Sequence, residues 1–344
     1  MINPTKSYKK TFIILLITLV FVFIVNLSLG SVYIPLKQVF LALTNGELEK
    51  DSWGSIILSV RLPKAITAII VGSGLSISGL LMQTLFRNPL AGPFVLGISS
   101  GASLGVAILI LGGSFLGANI TSYAFTNFGL AIAASLGAFL VLSAVMIAAQ
   151  KVKNTMSILI IGLMFGSLTS AVISILAYFG SASQLQQYMF WSFGSLGNLS
   201  WKEITVLCVA FLIGISFVIF IIKPLNTLLL GENYAKSLGV NVKKTRNLVL
   251  IATSLLTGVI TAFSGPIAFI GLAVPHLTKL LFSTSNHKTL IPAVAISGAI
   301  IMLICDSIAQ LPTSEYTLPI NAITSLFGAP IIIWLLVRKR KVYY

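Results

Sequence analysis

Apolar runs fill most of this chain, and polar residues fall in short clusters between them. A helix needs roughly 20 apolar residues to cross the hydrocarbon core of a bilayer. Runs of that order lie at 11–30, 63–86, 94–112, 128–149, 156–180, 203–222, 244–263, 267–283, 289–310 and 317–337. They predict an all-α polytopic membrane protein with about ten transmembrane helices. No charged residue occurs between Asn88 and Gln150, so that stretch must hold two helices and an outer turn. One polar island breaks the pattern, at 225–246, LNTLLLGENYAKSLGVNVKKTR. Glu232 and Lys236 stand four apart in the order that favours a pair on a helix surface. Gly231 and Gly239 bracket that short helix. A connecting loop would need only a few residues, so a helix here points to a soluble partner that docks on it.

Charge then orients the spans. Ten crossings put both termini on one side. Of the 22 Lys and Arg residues, only Lys37, Lys50, Arg61, Lys64 and Lys202 fall on the opposite side. Five of the seven acids lie with them: Glu47, Glu49, Asp51, Glu203 and Glu315. The positive-inside rule therefore predicts cytoplasmic termini and a cytoplasmic polar island, which is followed by Lys243, Lys244 and Arg246. The chain is 57% hydrophobic and 8% charged, with mean hydropathy +1.03, which excludes a soluble domain. Its net charge of +15 follows from the loop bias and from attraction to anionic lipid, and calls for no nucleic acid. Lys6, Lys9 and Lys10 precede the first apolar run. That run is longer than the about 7–15 residues of a secretion-signal core, which predicts a retained span, with a cleaved signal as the alternative.

Candidate chemistry is sparse. Cys208 and Cys305 sit inside apolar runs and read as small hydrophobes. His276 and His287 stand apart from any cysteine or carboxylate cluster, and His276 reads as structural. No phosphate loop of the G-x-x-x-x-G-K-[ST] type occurs, and no H-E-x-x-H. Asp306 is the one carboxylate deep in a predicted span, near the outer end of its helix. An intramembrane acid is a functional candidate, here for a self-contained secondary carrier, with local hydrogen bonding as the other reading. A membrane-embedded enzyme is disfavoured, because no nucleophile and base pair can be found. Gly97, Gly101 and Gly105 repeat at helical spacing, as do Gly72 with Ser76 and Gly74 with Ser78, which predicts close helix contacts. Gly92 and Pro93, and again Gly265 and Pro266, precede short glycine-containing spans on opposite sides, as an inverted repeat would give.

A set of motifs runs the length of the chain. Arg61, Leu62, Pro63 and Lys64 open the second span. Ser78, Gly79, Gln83, Asn88, Pro89, Leu90, Ala91, Pro93, Leu96, Gly97, Gly101 and Ala102 follow. Then come Leu230, Gly231, Glu232, Ala235, Leu238 and Gly239, and next Gly265, IAFIGL at 267–272, Pro275 and His276. Leu318, Pro319, Thr324, Gly328, Ala329, Pro330 and Trp334 close the series. In number, order and spacing this set resembles the FecCD family of permeases, the type II ABC importers for iron-siderophore, haem and vitamin B12.

The resemblance implies a type II importer permease fold across residues 1–344, with a coupling-helix region at 225–242. It implies a bacterial cytoplasmic-membrane protein that translocates an iron-siderophore-type chelate, or haem or vitamin B12. The partners it implies are two ABC ATPase subunits, a second permease copy or paralogue, an extracytoplasmic substrate-binding protein and membrane lipid. No cofactor would be bound by this chain, since ATP is used by the ATPase. Leu230, Gly231, Glu232, Ala235, Lys236, Leu238 and Gly239 would couple to that subunit. Asn88 and Leu90 would form one side of a cytoplasmic gate, and Thr155 and Met156 the other. Arg61 and Lys64 would meet acids on the binding protein. The chain departs from the family pattern at Gly92, at Gln310 and at TLPIN over 317–321. The change at Gln310 removes one possible salt bridge to the binding protein.

Overall fold

Ten long or apolar helices and four short ones carry the chain in a computed structural model that describes residues 8–112, 126–150, 152, 155–197, 199–312, 314 and 316–337. Among the described residues there is no strand. The ten are α1 (Lys9–Ser28), α4 (Leu62–Phe86), α5 (Ile98–Leu111), α6 (Asn127–Gln150), α7 (Thr155–Phe179), α9 (Trp201–Leu228), α11 (Val242–Ser264), α12 (Ile270–Phe282), α13 (His287–Ala309) and α14 (Ile320–Val337). They correspond one for one to the ten apolar runs of the sequence. Seven meet the length and hydropathy of a membrane span, and α5, α12 and α14 are shorter apolar helices. The outer turn expected between α5 and α6 falls largely on residues 113–125, outside the described residues, as do Lys6 and Glu315.

The short helices are α2 (Leu36–Leu43), α3 (Asp51–Ile56), α8 (Ala182–Ser192) and α10 (Glu232–Ser237). All four are too short to cross, so a search for spans finds none of them, and only α10 is announced by its polar sequence. The second span also begins earlier than hydropathy suggests. A π-helical turn at Ile57–Arg61 joins α3 to α4 in one continuous helix.

Local caps fix several starts. Ser200 and Glu203 form a capping box on α9, and Ser181 and Gln184 form one on α8. The Asn241 and Asn286 side chains cap α11 and α13.

Helix α4 is the axis of the fold. It packs against α13, α11, α12 and α9, and 89% of its apolar window is buried. Its small residues make this possible. A Cβ on Gly72 would strike the Gly298 backbone of α13, and one on Gly79 would strike Gly271 of α12. Gly101 and Gly105 of α5 meet Gly137 and Ala133 of α6 in the same way. Helices α1 and α7 are peripheral, each with 17% of its window buried.

The first Gly-Pro entry packs on the start of α12, while Gly265 of the second lies against Trp191 O and Gly194. Gly92 lies against Leu272, and Gly271 lies against Pro93. Irregular backbone is tolerated at such points only where protein covers it, and Pro93 is buried at the start of a 3₁₀ turn, Pro93–Leu96.

Candidate functional site

The polar groups of the bundle gather at its two ends. At the end holding the last turns of α1 and α13, Asp306 is buried at 1% exposure. Its Oδ1 pairs with Lys64 Nζ at 3.0 Å. Its Oδ2 accepts from Asn26 Nδ2 at 3.0 Å and from Gln310 Nε2 at 2.7 Å. Gln310 is thus a partner of Asp306 within the chain. The carboxylate is paired with a cation of the same chain and held by two amides.

Arg61 departs from its expected place on the outer surface. It is 7% exposed, and its guanidinium donates to Leu27 O at 2.7 Å, to Ser28 O at 2.9 Å and to Val32 O. Those carbonyls are left open where α1 ends, so Arg61 caps that helix terminus. A guanidinium buried in this way and turned onto three carbonyls of its own chain does not present itself to an acid on another protein. Lys64, beside it, is committed to Asp306. The sequence signal, two cations near a helix end, does not separate a docking pair from an internal clamp.

At the opposite end, α9 runs out at Leu228 and the chain turns through Leu229 and Leu230 into α10. Gly231 (φ 116°) and Gly239 (φ 80°) adopt left-handed backbone, which admits glycine without strain and sets both corners of the element. Ala235 is fully buried and seats α10 on the bundle. Leu230, Tyr234 and Leu238, one turn apart, are 64%, 55% and 58% exposed. Glu232, Lys236 and Gly239 are also exposed, and nothing lies within 4 Å of a Cβ built on Gly239. Leu230, Tyr234 and Leu238 thus form a row of exposed apolar residues along this polar element.

The turn after α4 is built by Arg87 (φ 48°) and Asn88. Asn88 N–H reaches Gln83 O at 3.2 Å, and the Asn88 side chain accepts from Leu90 N–H at 2.9 Å. This leaves Leu90 42% exposed. Thr155 begins α7, and its side chain lies outside the described residues. Met156 is exposed and lines an open cavity of about 860 Å³ together with Leu85, Phe86, Arg87 and the α10 residues Glu232, Asn233, Tyr234 and Ser237. One expected gate residue therefore shares a cavity with the expected coupling helix.

Two residues singled out for no such role join these parts. Arg87 Nη2 donates to Leu228 O at 2.6 Å, tying the α4 turn to the last residue of α9. His287 is buried, with Nδ1 at 2.8 Å from Asn226 Oδ1 and Nε2 at 2.8 Å from Thr84 Oγ1. It knits α4, α9 and α13 together just above the coupling element. The partners lie 141, 61 and 203 residues away in sequence, so no local pattern announces them.

The pattern of the FecCD transport family matches residues 17–338. The chain belongs to the FecCD transport family. It is 35% identical over 329 residues to the vitamin B12 import system permease protein BtuC of Klebsiella pneumoniae, covering 95% of this chain and 92% of that one. It is 36% identical over 332 residues to a Methanocaldococcus jannaschii protein, MJ0087, named as an ABC transporter permease, covering 96% and 94%. Among solved structures it is similar to a chain described as an inward-facing conformation of a metal-chelate type ABC transporter. That match has TM-score 0.84 and 30% identity, and covers 96% of this chain and all of that one. The PsaBC structure from Streptococcus pneumoniae, at TM-score 0.56 and 17% identity, shares the fold alone.

FecCD membership makes the chain an ABC importer permease of the FecCD/BtuC type, with ATPase and permease subunits as its partners. A self-contained carrier built on Asp306 is set aside by that membership.

Proposed function

We propose that this chain forms half of the conduit through which a metal chelate of the iron-siderophore type enters the cell, driven by a separate ATPase. The exposed apolar row Leu230, Tyr234 and Leu238 at the end of α9 carries this reading. It gives an ATPase subunit a face to grip, with Leu230, Gly231, Glu232, Ala235, Lys236, Leu238 and Gly239 as the contact element. ATP binding would move that element. The motion reaches the Asn88 and Leu90 turn through Arg87 and the Leu228 carbonyl, and Met156 through the shared cavity. Both termini would be cytoplasmic. No cofactor is assigned to this chain.

A vitamin B12-type corrinoid is the second reading, favoured by the 35% identity to BtuC. The pathway residues do not choose between them. Exposed Ser167, Ser170 and Ser174 interrupt the apolar surface of α7, each with its hydroxyl bonded to a carbonyl one turn back. Such a wall, of small hydroxyls and apolar groups, passes a large chelate without ligating its metal and leaves selection to an extracytoplasmic binding protein. Since Arg61 and Lys64 are committed inside the chain, the exposed cations Lys37, Lys50 and Lys202 are the ones left at that end to attract its acids.

The test is ATP-dependent uptake in proteoliposomes holding this chain, its ATPase and its binding protein. Uptake of ferric siderophore that cyanocobalamin does not compete for supports the first reading. The reverse competition installs the second, and uptake without ATP overturns both.

A further inference from the structure

Beside α10 lies a second cavity, of about 220 Å³. Its lining is Gln83, Thr84 and Arg87 from the end of α4, Leu229 after α9, Lys279 from the last turn of α12, and Ser285 and His287 where α13 begins. A single water needs only about 10–15 Å³, so there is room for a polyatomic ion.

The lining is electrically unbalanced. It holds two cations, Arg87 and Lys279, and no carboxylate. Lys279 is partly buried and makes no hydrogen bond or ion pair with a described residue, in a chain where the other partly buried lysine of a helix interior, Lys64, has Asp306. Glu232 belongs to the neighbouring cavity under α10 and not to this one. His287 is occupied at both ring nitrogens by Asn226 and Thr84, so it shapes the wall. Gln83 is 2% exposed and gives its amide N–H to Leu272 O at 3.1 Å, while its Oε1 has no partner among the described residues. The cavity thus offers two cationic donors, the Ser285 hydroxyl and one unmet buried acceptor.

We infer that this cavity is a binding site for a phosphate oxyanion, held by Lys279, Arg87 and Ser285. Charge-assisted donors supply the attraction. The free Gln83 Oε1 suits a ligand that also carries a hydroxyl, which a protonated inorganic phosphate has on phosphorus and an anionic glycerol-phospholipid has in its headgroup. Sulfate at neutral pH has none. Arg87 links the site to coupling, since it also holds Leu228 O and lines the cavity under α10. This assignment is independent of which chelate is carried.

The experiment uses the complete transporter with its ATPase, without nucleotide and in phosphate-free buffer, reconstituted in nanodiscs of pure phosphatidylcholine or with phosphatidylglycerol. Radiolabelled inorganic phosphate is titrated by equilibrium dialysis, and retained lipid is measured by native mass spectrometry. Wild type, Lys279→Gln and Lys279→Arg are compared, so that the nucleotide sites of the ATPase contribute equally to all three. Loss of one charged donor should weaken binding at least about tenfold in Lys279→Gln. Lys279→Arg should retain it, with sulfate a weaker competitor than phosphate. Lys279-dependent phosphate binding in phosphatidylcholine identifies free phosphate as the occupant. Lys279-dependent retention of phosphatidylglycerol identifies the headgroup. Phosphate and lipid binding that is equal in wild type and Lys279→Gln, with Lys279→Arg folded, overturns the site.

Discussion

Replacing Asp306 by Ala should be among the most damaging single truncations in this chain, for reasons that have nothing to do with transport chemistry. The carboxylate is 1% exposed and receives Lys64, Asn26 and Gln310. Removing it leaves the Lys64 ammonium and the Gln310 amide without this acceptor, while Asn26 keeps Leu303 O and Ser307 Oγ. Breaking a buried pair from one side costs about 3–5 kcal/mol. The Lys64 side chain is 20% exposed and can turn part-way to water, which argues for the lower figure, about 3 kcal/mol. Asp306→Asn keeps one acceptor oxygen for Asn26 and loses the charge facing Lys64, which puts it near 2 kcal/mol by the worth of a charge-assisted hydrogen bond. Adding Lys64→Met to either variant removes the stranded cation, so the double variant should be more stable than the sum of the singles by about 1–3 kcal/mol. A thiol-reactive dye is a suited probe, because Cys305 neighbours Asp306 and is 3% exposed until the helix end opens. Thermal unfolding in nanodiscs should rank wild type above Asn above Ala. ATP-driven uptake at low temperature should survive in Asp306→Asn. Strict additivity of the Lys64 and Asp306 changes would refute the pairing, and wild-type stability of Asp306→Ala would refute the whole network.

Other outcomes follow from the same geometry. Glu232→Lys should fold normally, since the position is exposed, and Gly239→Trp should keep the bundle while straining the corner at φ 80°; both should lower stimulated ATP hydrolysis and uptake together, and unchanged activity in both removes α10 from coupling. Arg61→Met should lower the unfolding temperature sharply, because charge-assisted bonds of about 1.5–3 kcal/mol each are lost with no compensation, and a variant as stable as wild type would contradict the clamp. Gly79→Val should abolish the monodisperse peak on size exclusion, since its Cβ would overlap the Gly271 backbone, and a well-behaved variant would show that α4 and α12 are not in contact there. Reversing Lys37, Lys50 and Lys202 together to Glu should slow binding-protein association most at low salt, and an unchanged rate across a salt series would remove them from the docking surface.

What the sequence discloses here depends on distance along the chain. The ten helices are legible because a bilayer imposes a length and a composition on each run separately. The short polar helix α10 is legible because two glycines with an acidic residue and a lysine between them stand out in an apolar chain. Short helices such as α2 and α8 are hidden because an interfacial helix needs neither span length nor a continuous apolar run. Arg61 misleads for a different reason. Its carbonyl partners at Leu27 and Ser28 are 34 and 33 residues away, and only the packing of α1 on the continuous α3–α4 helix brings them into reach. The same holds for Arg87 and for His287, whose roles exist only once the ends of α4 and α9 and the start of α13 reach the same level.

That shared level explains why the coupling end of the molecule can act as a unit. A six-residue helix has too few internal hydrogen bonds to hold itself rigid, so force applied to α10 must pass into whatever anchors its flanks. On one flank the anchor is the Leu228 carbonyl, gripped by Arg87, whose own backbone begins the Asn88 turn. Behind it, Asn226, two residues before Leu228, is held by His287, which also holds Thr84 on α4. Helix α4 is thus attached to the end of α9 twice, through its cap residue and through its last turn. A push on α10 that shifts the end of α9 must shift the end of α4 with it or break one of these two links. Arg87→Met cuts the first and leaves the second, so the bundle should stay folded while the gate turn loses its direct tie to α10. ATP hydrolysis should then continue with uptake reduced by about tenfold or more, the scale set by one charge-assisted hydrogen bond. Uptake and hydrolysis that fall in equal proportion would place Arg87 outside the transmission route.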